Sequence, residues 1–140
     1  MPIWAECGGF MYLCQQFIDW DGGIHSGVGI IPARVIMTRK LQALGYVEAI
    51  ALHDSIIAVK GDTCRGHEFH YSTIEGINPD NSGFSLGGRR SDGYVKNNLF
   101  ASFVHLHLRS HPKVARRFID ACARYKYRTS DLDAFSGKGV

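Results

Sequence analysis

Pro2-Ile3-Trp4-Ala5-Glu6-Cys7-Gly8-Gly9-Phe10-Met11-Tyr12-Leu13 is the stretch that decides how this chain is read. Its first residues form a short extended run that ends abruptly at Cys7-Gly8-Gly9. Beyond it, Phe10, Leu13, Cys14, Phe17 and Ile18 recur at helical spacing, which predicts a helix with one buried face. Asp21-Gly22-Gly23 is expected to stop that helix. A strand, a nucleophilic side chain and two glycines opening a helix describe a nucleophile elbow. Its tight turn lifts the side chain clear of the sheet, and glycine avoids steric conflict beside it. A thiol at a helix N-terminus is expected to have its thiolate stabilised and its pKa lowered. The pattern is modest by itself, because a buried cysteine beside a glycine turn is common. A nucleophilic cysteine also needs a base, which can be remote in sequence and close in space.

Outward from this segment the chain has a mixed α/β order. Residues 28–37 are strand-like, with Pro32 marking a bend, an edge or a bulge. Residues 46–52 and 56–60 are β-rich, and His53-Asp54-Ser55 between them suits a hairpin turn. Residues 66–74 read as another strand, and 77–93, rich in Gly, Asn, Ser and Asp, as a loop with one short strand inside it. Residues 99–108 are a strand rich in aromatic and branched side chains. Ser110-His111-Pro112 starts a final helix, whose apolar stripe is Val114, Ala115, Phe118, Ile119 and Cys122. No internal repeat or linker divides the chain. One domain is expected over 1–128, followed by a tail at 129–140 with too little apolar content to assign.

Composition bounds the function. The chain has 140 residues, 45% of them hydrophobic, which suits one globular core or a piece of a larger one. No apolar run approaches the roughly 18 residues that span a bilayer, and the N-terminus lacks the basic and apolar regions of a signal peptide. Cys7, Cys14, Cys64 and Cys122 are scattered with no Cys-x-x-Cys pair, so reduced thiols and a cytoplasmic location are expected. Net charge is +3, concentrated at the C-terminal end: from Arg109 onward eight Lys/Arg face three Asp. Such an excess attracts polyanions, but the plainer reading is the solvated face of a terminal helix. No aromatic-interleaved basic motif points to nucleic acid.

Candidates for the base are dense. His105, His107 and His111 lie in Val104-His105-Leu106-His107-Leu108-Arg109-Ser110-His111-Pro112. Strand alternation puts His105 and His107 on one face, with Leu106 and Leu108 on the other. His67 and His70 lie in Arg65-Gly66-His67-Glu68-Phe69-His70-Tyr71-Ser72. Residues three apart in a strand point to opposite faces, so His67 and His70 would not easily share a metal. The His105/His107 pair lacks a third ligand. No metal site is assigned, and a catalytic base among these imidazoles is preferred over a purely structural role.

Three blocks carry a more specific resemblance. Residues 2–13 resemble the nucleophile segment of the cobyrinic acid a,c-diamide synthase family. Arg65-Gly66-His67-Glu68-Phe69-His70-Tyr71-Ser72 resembles that family's hallmark string. Gly93-Tyr94, Ala101-Ser102-Phe103-Val104-His105-Leu106-His107 and Ser110-His111-Pro112 resemble its C-terminal block. The blocks occur in family order and extend to about Phe118. The resemblance implies the C-terminal portion of a class I glutamine amidotransferase (flavodoxin-like) fold: α/β, with a mostly parallel sheet and added antiparallel strands.

It also implies roles. Cys7 would attack the side-chain amide of glutamine, His105 would act as general base and then acid, and the Gly8 N–H would serve the oxyanion hole. Many class I amidotransferases place a Glu two residues after the His, where this chain has His107. His107, Glu68 and His67 are the candidates for a supporting role, and the third member of a triad is left open. The family's enzymes use glutamine, ATP and Mg²⁺ to amidate a tetrapyrrole polycarboxylate, in cobalamin biosynthesis for cobyrinic acid. Close relatives act on sirohaem or nickel-sirohydrochlorin. This sequence has no Gly-x-x-x-x-Gly-Lys-Ser/Thr loop, and the strands and glycine-rich loop that precede the nucleophile in a complete domain are not in it. No cofactor is therefore expected on this chain itself. Its expected partners are glutamine, an N-terminal amidotransferase segment and a synthetase domain, with self-association as a further expectation. A non-catalytic remnant or interaction module is the alternative.

Overall fold

The computed structural model describes the backbone of residues 1–136 and the side chains of residues 1–128. The chain opens with strand β1 (Ile3–Glu6) and helix α1 (Gly8–Leu13). It then turns directly into strand β2 (Cys14–Ile18) and a short β3 (Ile24–Ser26). The helix expected to run past Ile18 is thus only six residues long. Cys14 is already extended, with φ −69° and ψ 166°. A helix this short is marginal alone, so strand pairing on both sides of residues 14–18 decides their conformation. The Tyr12 and Cys14 carbonyls at its end accept N–H groups from Val28 and Gly29, so the following loop meets acceptors that the short helix leaves open.

Strand β4 (Ile31–Met37) follows. Cys14 pairs with Ile31 and Gln16 with Arg34, so Pro32 and Ala33 together oppose Gln15 and form a bulge. Pro32 sits where its missing N–H interrupts no ladder. Strand β5 (Ala43–Ala51) returns through a loop to β6 (Thr63–His70). The strand expected at 56–60 lies in that loop. Its N–H groups are held by side chains: the Ser55 Oγ accepts from Ile57 and Ala58, and the Asp62 and Asp54 carboxylates accept from Val59 and Lys60. Ile56, Ile57 and Ala58 are nonetheless buried, which accounts for the strand-like pattern.

The run 66–74 breaks at Tyr71, beyond which β7 (Ser72–Glu75) joins a different sheet from β6. The loop at 77–93 holds two strands, β8 (Phe84–Leu86) and β9 (Arg90–Asp92), paired as a hairpin. Strands β10 (Tyr94–Lys96), β11 (Leu99–Ser102) and β12 (His105–Leu106) follow, and helix α2 (Pro112–Ser136) ends the described chain. The expected tail from 129 is helical in backbone through Ser136. Residues 137–140 lie outside the described residues.

Three sheets result among the described residues, in the orders β1-β11-β10, β12-β6-β5-β8-β9 and β3-β2-β4-β7. Only β1 with β11 and β2 with β4 pair in parallel. A mostly parallel sheet was the expectation, and these residues correct it. Parallel neighbours need crossovers of a dozen or more residues, whereas β8, β9, β10 and β11 follow one another through short turns. The β1-β11-β10 sheet is covered on both sides. Trp4, Val95 and Phe100 face a core shared with β5, β8 and α2, while Ala5, Tyr94 and Ala101 face one shared with α1 and β4. On α2, Val114 and Ala121 are buried and Phe118 meets Trp4 edge-on at 5.6 Å. Ile119, expected on the buried stripe, is 62% exposed.

Candidate active site

The site begins where β1 passes into α1. Cys7 has φ 49° and ψ −109°, one of two non-glycine residues with positive φ among the described residues. A side chain in this region is strained and persists only where the surroundings enforce it. The enforcement is visible. The Cys7 N–H donates to the Ser102 carbonyl at 2.8 Å, and the Cys7 carbonyl accepts from Met11 at 3.0 Å. One residue thus closes the parallel β1/β11 ladder and opens the helix. Of the two glycines, Gly9 is the closely packed one, since an added Cβ would lie 3.3 Å from the Ala5 Cβ. A Cβ at Gly8 would meet nothing within 4 Å, so steric relief at that position is not its role.

The thiol is half-buried, and its pKa is raised above the ordinary value of 9.0. Burial is the largest cause. The Gly8 N–H at the sulfur works against it, and the negative fields of Asp92 and Glu6 add to it. This corrects the expectation of a lowered pKa: a helix of one and a half turns contributes a local N–H, and desolvation outweighs it.

His105 stands on β12, paired with His67 across β6, and Leu106 pairs with Gly66. The glycine is essential to this approach: a Cβ at position 66 would lie 2.2 Å from Val104 and 2.7 Å from the His105 carbonyl. The other edge of β12 meets Glu6. The Leu106 N–H donates to one Glu6 carboxylate oxygen at 3.0 Å, and the His105 Nδ1 lies 3.5 Å from the other. Glu6, the residue before Cys7, therefore ties β1 to β12. Among the described residues no hydrogen bond joins the Cys7 thiol to His105.

The other candidates separate. His107 has left the strand, and its Nδ1 is 3.1 Å from the Ser110 Oγ. His67 shares the face of His105 and meets Tyr46 edge-on at 5.5 Å. These rings, with Ser110 and His111, line a cleft of about 1240 Å³. The His111 Nε2 accepts the Arg65 N–H at 2.8 Å, which fixes the turn before α2. Among the described residues no group of three or more His, Cys, Asp or Glu could hold a metal.

Glu68 points to the other face of β6, away from His105. It is fully buried and paired with the Arg90 guanidinium through both oxygens, with the His70 Nε2 3.7 Å away. Burial pushes its carboxyl up, but the neighbouring His70 ring and the hydrogen-bonded Arg90 guanidinium reverse this and bring it to about 2. His70 stacks flat on Phe103 at 3.9 Å, and its Nδ1 bonds the Ser72 carbonyl. Asp92 is buried beside this group. Its carboxylate accepts the Phe103 and Val104 N–H groups, and so holds the bend that separates β11 from β12. Desolvation nevertheless raises its pKa to about 6. Glu6, Arg90 and Asp92 were not singled out from sequence. Each acts on a residue at least 11 positions away, and no local spacing signals such a contact.

Comparison with known proteins bears on the family. Residues 1–113 match the family described as the CobB/CobQ-like glutamine amidotransferase domain. A cobyrinate a,c-diamide synthase from Caldanaerobacter subterraneus is 42% identical over 130 residues, covering 89% of this chain and 28% of its own length. Those from Thermoplasma volcanium and Priestia megaterium are 41% and 36% identical, covering 89% and 94% of this chain and 28% and 29% of their own lengths. The chain therefore spans less than a third of these relatives, aligning to their C-terminal part.

Proposed function

The chain belongs to the CobB/CobQ-like glutamine amidotransferase family, and from that premise we propose that it is the glutaminase portion of a tetrapyrrole amidase, cobyrinate a,c-diamide synthase in the first instance. The observation that carries the reading is Cys7 held at positive φ between β1 and α1, with Glu6 and β12 alongside. In this reading His105 takes the thiol proton and the Cys7 sulfur attacks the glutamine side-chain carbon. The carbonyl oxygen becomes negative and is met by the Gly8 N–H. The C–N bond then breaks, His105 returns the proton to the leaving ammonia, and a glutamyl thioester remains for water to hydrolyse. The fold expected with this chemistry is the class I, flavodoxin-like one.

Ammonia would pass to a synthetase domain that uses ATP and Mg²⁺. This chain has no phosphate-binding loop, so none of its residues is assigned to that step. Sirohaem and nickel-sirohydrochlorin are the alternative acceptors. A second reading, a non-catalytic interaction module, is favoured by the raised thiol pKa and by the lack of a Cys7–His105 hydrogen bond.

The test combines this chain with the N-terminal portion of a relative and measures ammonia release from glutamine. His105→Ala is expected to lower glutamine hydrolysis by about 10²- to 10⁴-fold while amidation by free ammonia persists. This chain alone is expected to hydrolyse glutamine negligibly, since one oxyanion donor is insufficient and losing a donor costs about 10²- to 10³-fold. Equal loss with glutamine and with ammonia would remove the catalytic assignment of His105.

A further inference from the structure

If Cys7 and His105 act as a nucleophile and a base, the imidazole needs an orienting partner, and the structure offers one that motif spacing does not. The position two residues after the base is filled by His107, whose Nδ1 is engaged with Ser110 in its own turn. Glu68 faces the far side of β6, held by Arg90 and His70. His67 lies across the strand pair and meets Tyr46. Among the described residues, Glu6 is the carboxylate within 4 Å of the His105 ring.

Its position follows from the ladder. Glu6 is the last residue of β1 and pairs with Ser102 at the end of β11. The chain then bends through Phe103 and Val104, fixed by Asp92, and runs back as β12. One edge of β12 is bonded to β6, and the other receives the Glu6 carboxylate at Leu106. The first carboxylate oxygen thus sets the strand and the second faces the ring nitrogen of His105. At 3.5 Å the second contact is longer than a formed hydrogen bond. Contacts of this kind tighten when substrate fills the site.

We propose that Glu6 is the positioning residue of a Cys7–His105–Glu6 triad, holding the proton of His105 on Nδ1 so that Nε2 stays free to act as base. A carboxylate acceptor at one ring nitrogen selects the tautomer with the proton there, which leaves the other nitrogen as acceptor. The arrangement is compact. The orienting group adjoins the nucleophile, so the strain of the elbow and the aim of the base are set by the same two residues.

The inference rests on the catalytic reading above and can fail separately from it. The first measurement is the ¹⁵N spectrum of His105 in this chain at alkaline pH, where imidazoles are neutral. Protonated Nδ1 is expected, and a predominant Nε2–H form in the wild-type chain would overturn the proposal with no variant needed. Glu6→Gln retains an oxygen acceptor for the Leu106 N–H and removes the charge. It is expected to shift the tautomer toward Nε2–H and, in the completed enzyme, to lower kcat for glutamine at least about tenfold with KM little changed. Amidation with free ammonia should be unaffected, and Glu6→Asp should recover part of the loss. If Glu6→Gln changes neither tautomer nor kcat while Cys7→Ala and His105→Ala abolish hydrolysis, the positioning role is wrong and the catalytic reading stands. If Cys7→Ala and His105→Ala leave hydrolysis intact, that reading fails first.

Discussion

Cys7 combines a strained backbone with a thiol that resists ionisation, and the two have one origin. Turning the side chain back between β1 and α1 packs Cys7 against the smaller core around Phe10 and Phe103. Burial then raises its pKa, with Asp92 and Glu6 adding repulsion toward the thiolate. Alkylation by iodoacetamide should therefore climb about tenfold between pH 7 and pH 8, as expected for a thiol well below its pKa. Cys7 should still be labelled ahead of Cys14 and Cys64, which are buried, Cys14 with its pKa pushed up to about 11. Asp92→Asn keeps an acceptor for Phe103 and removes the charge, so it should speed the labelling of Cys7. Mass mapping at both pH values decides the matter, and labelling of Cys64 before Cys7 would count against the elbow. At this scale Cys7 and His105 could be singled out in sequence, because their residue types carry chemistry. Glu6 was not legible, because its partner Leu106 is 100 positions away.

Among the elements, β12 is the most exposed to disturbance. It is two residues long and carries His105, and it approaches β6 only because position 66 has no side chain. Gly66→Ala would drive a methyl group into Val104 and the His105 carbonyl, forcing β12 outward. Overpacking of this kind costs about 1–3 kcal/mol. Urea denaturation should read that loss, and the His105 ring resonances should shift with it. An unchanged midpoint with unchanged His105 resonances would mean that β12 is held by Glu6 alone. Element types were read well where a long run was decisive, as in α2 with Pro112 in its first turn. They were misread at residues 14–18 and 56–60. In the first, apolar spacing fits both a helix and a short strand, and pairing with β3 and β4 settles it. In the second, burial came without a ladder.

Across the whole molecule, two buried carboxyls oppose each other in their response to pH. The Glu68 carboxyl falls from an ordinary 4.5 to about 2 in the folded chain. Its pairing with Arg90 therefore stabilises the fold above pH 4.5, by roughly 3 kcal/mol, and this is lost as pH falls toward 2. Asp92 rises from 3.8 to about 6. The folded state then holds its proton more tightly than the unfolded one, so stability declines as pH rises from about 4 to 6, again by roughly 3 kcal/mol. Denaturation from pH 2 to 8 should show a maximum between pH 4 and 5. Asp92→Asn should flatten the decline above it. A decline of the same size in Asp92→Asn would assign it to other groups. No helix among the described residues is long and apolar enough to cross a membrane.

The amino-acid sequence by itself determined that a strand ends in Cys7 at a glycine turn, that imidazoles crowd two short segments, and that an amphipathic helix closes the chain. These depend on residue type and near-neighbour spacing, which are local quantities. Only the tertiary structure decided that most strand pairs are antiparallel and that residues 14–18 extend. It also decided that Glu68 is committed to Arg90 while Glu6 reaches His105, and that the Cys7 thiol is raised where the motif suggested lowering. Each of these outcomes turns on desolvation or on contacts between distant positions, and both arise only when β1, β6, β9 and β12 are packed together.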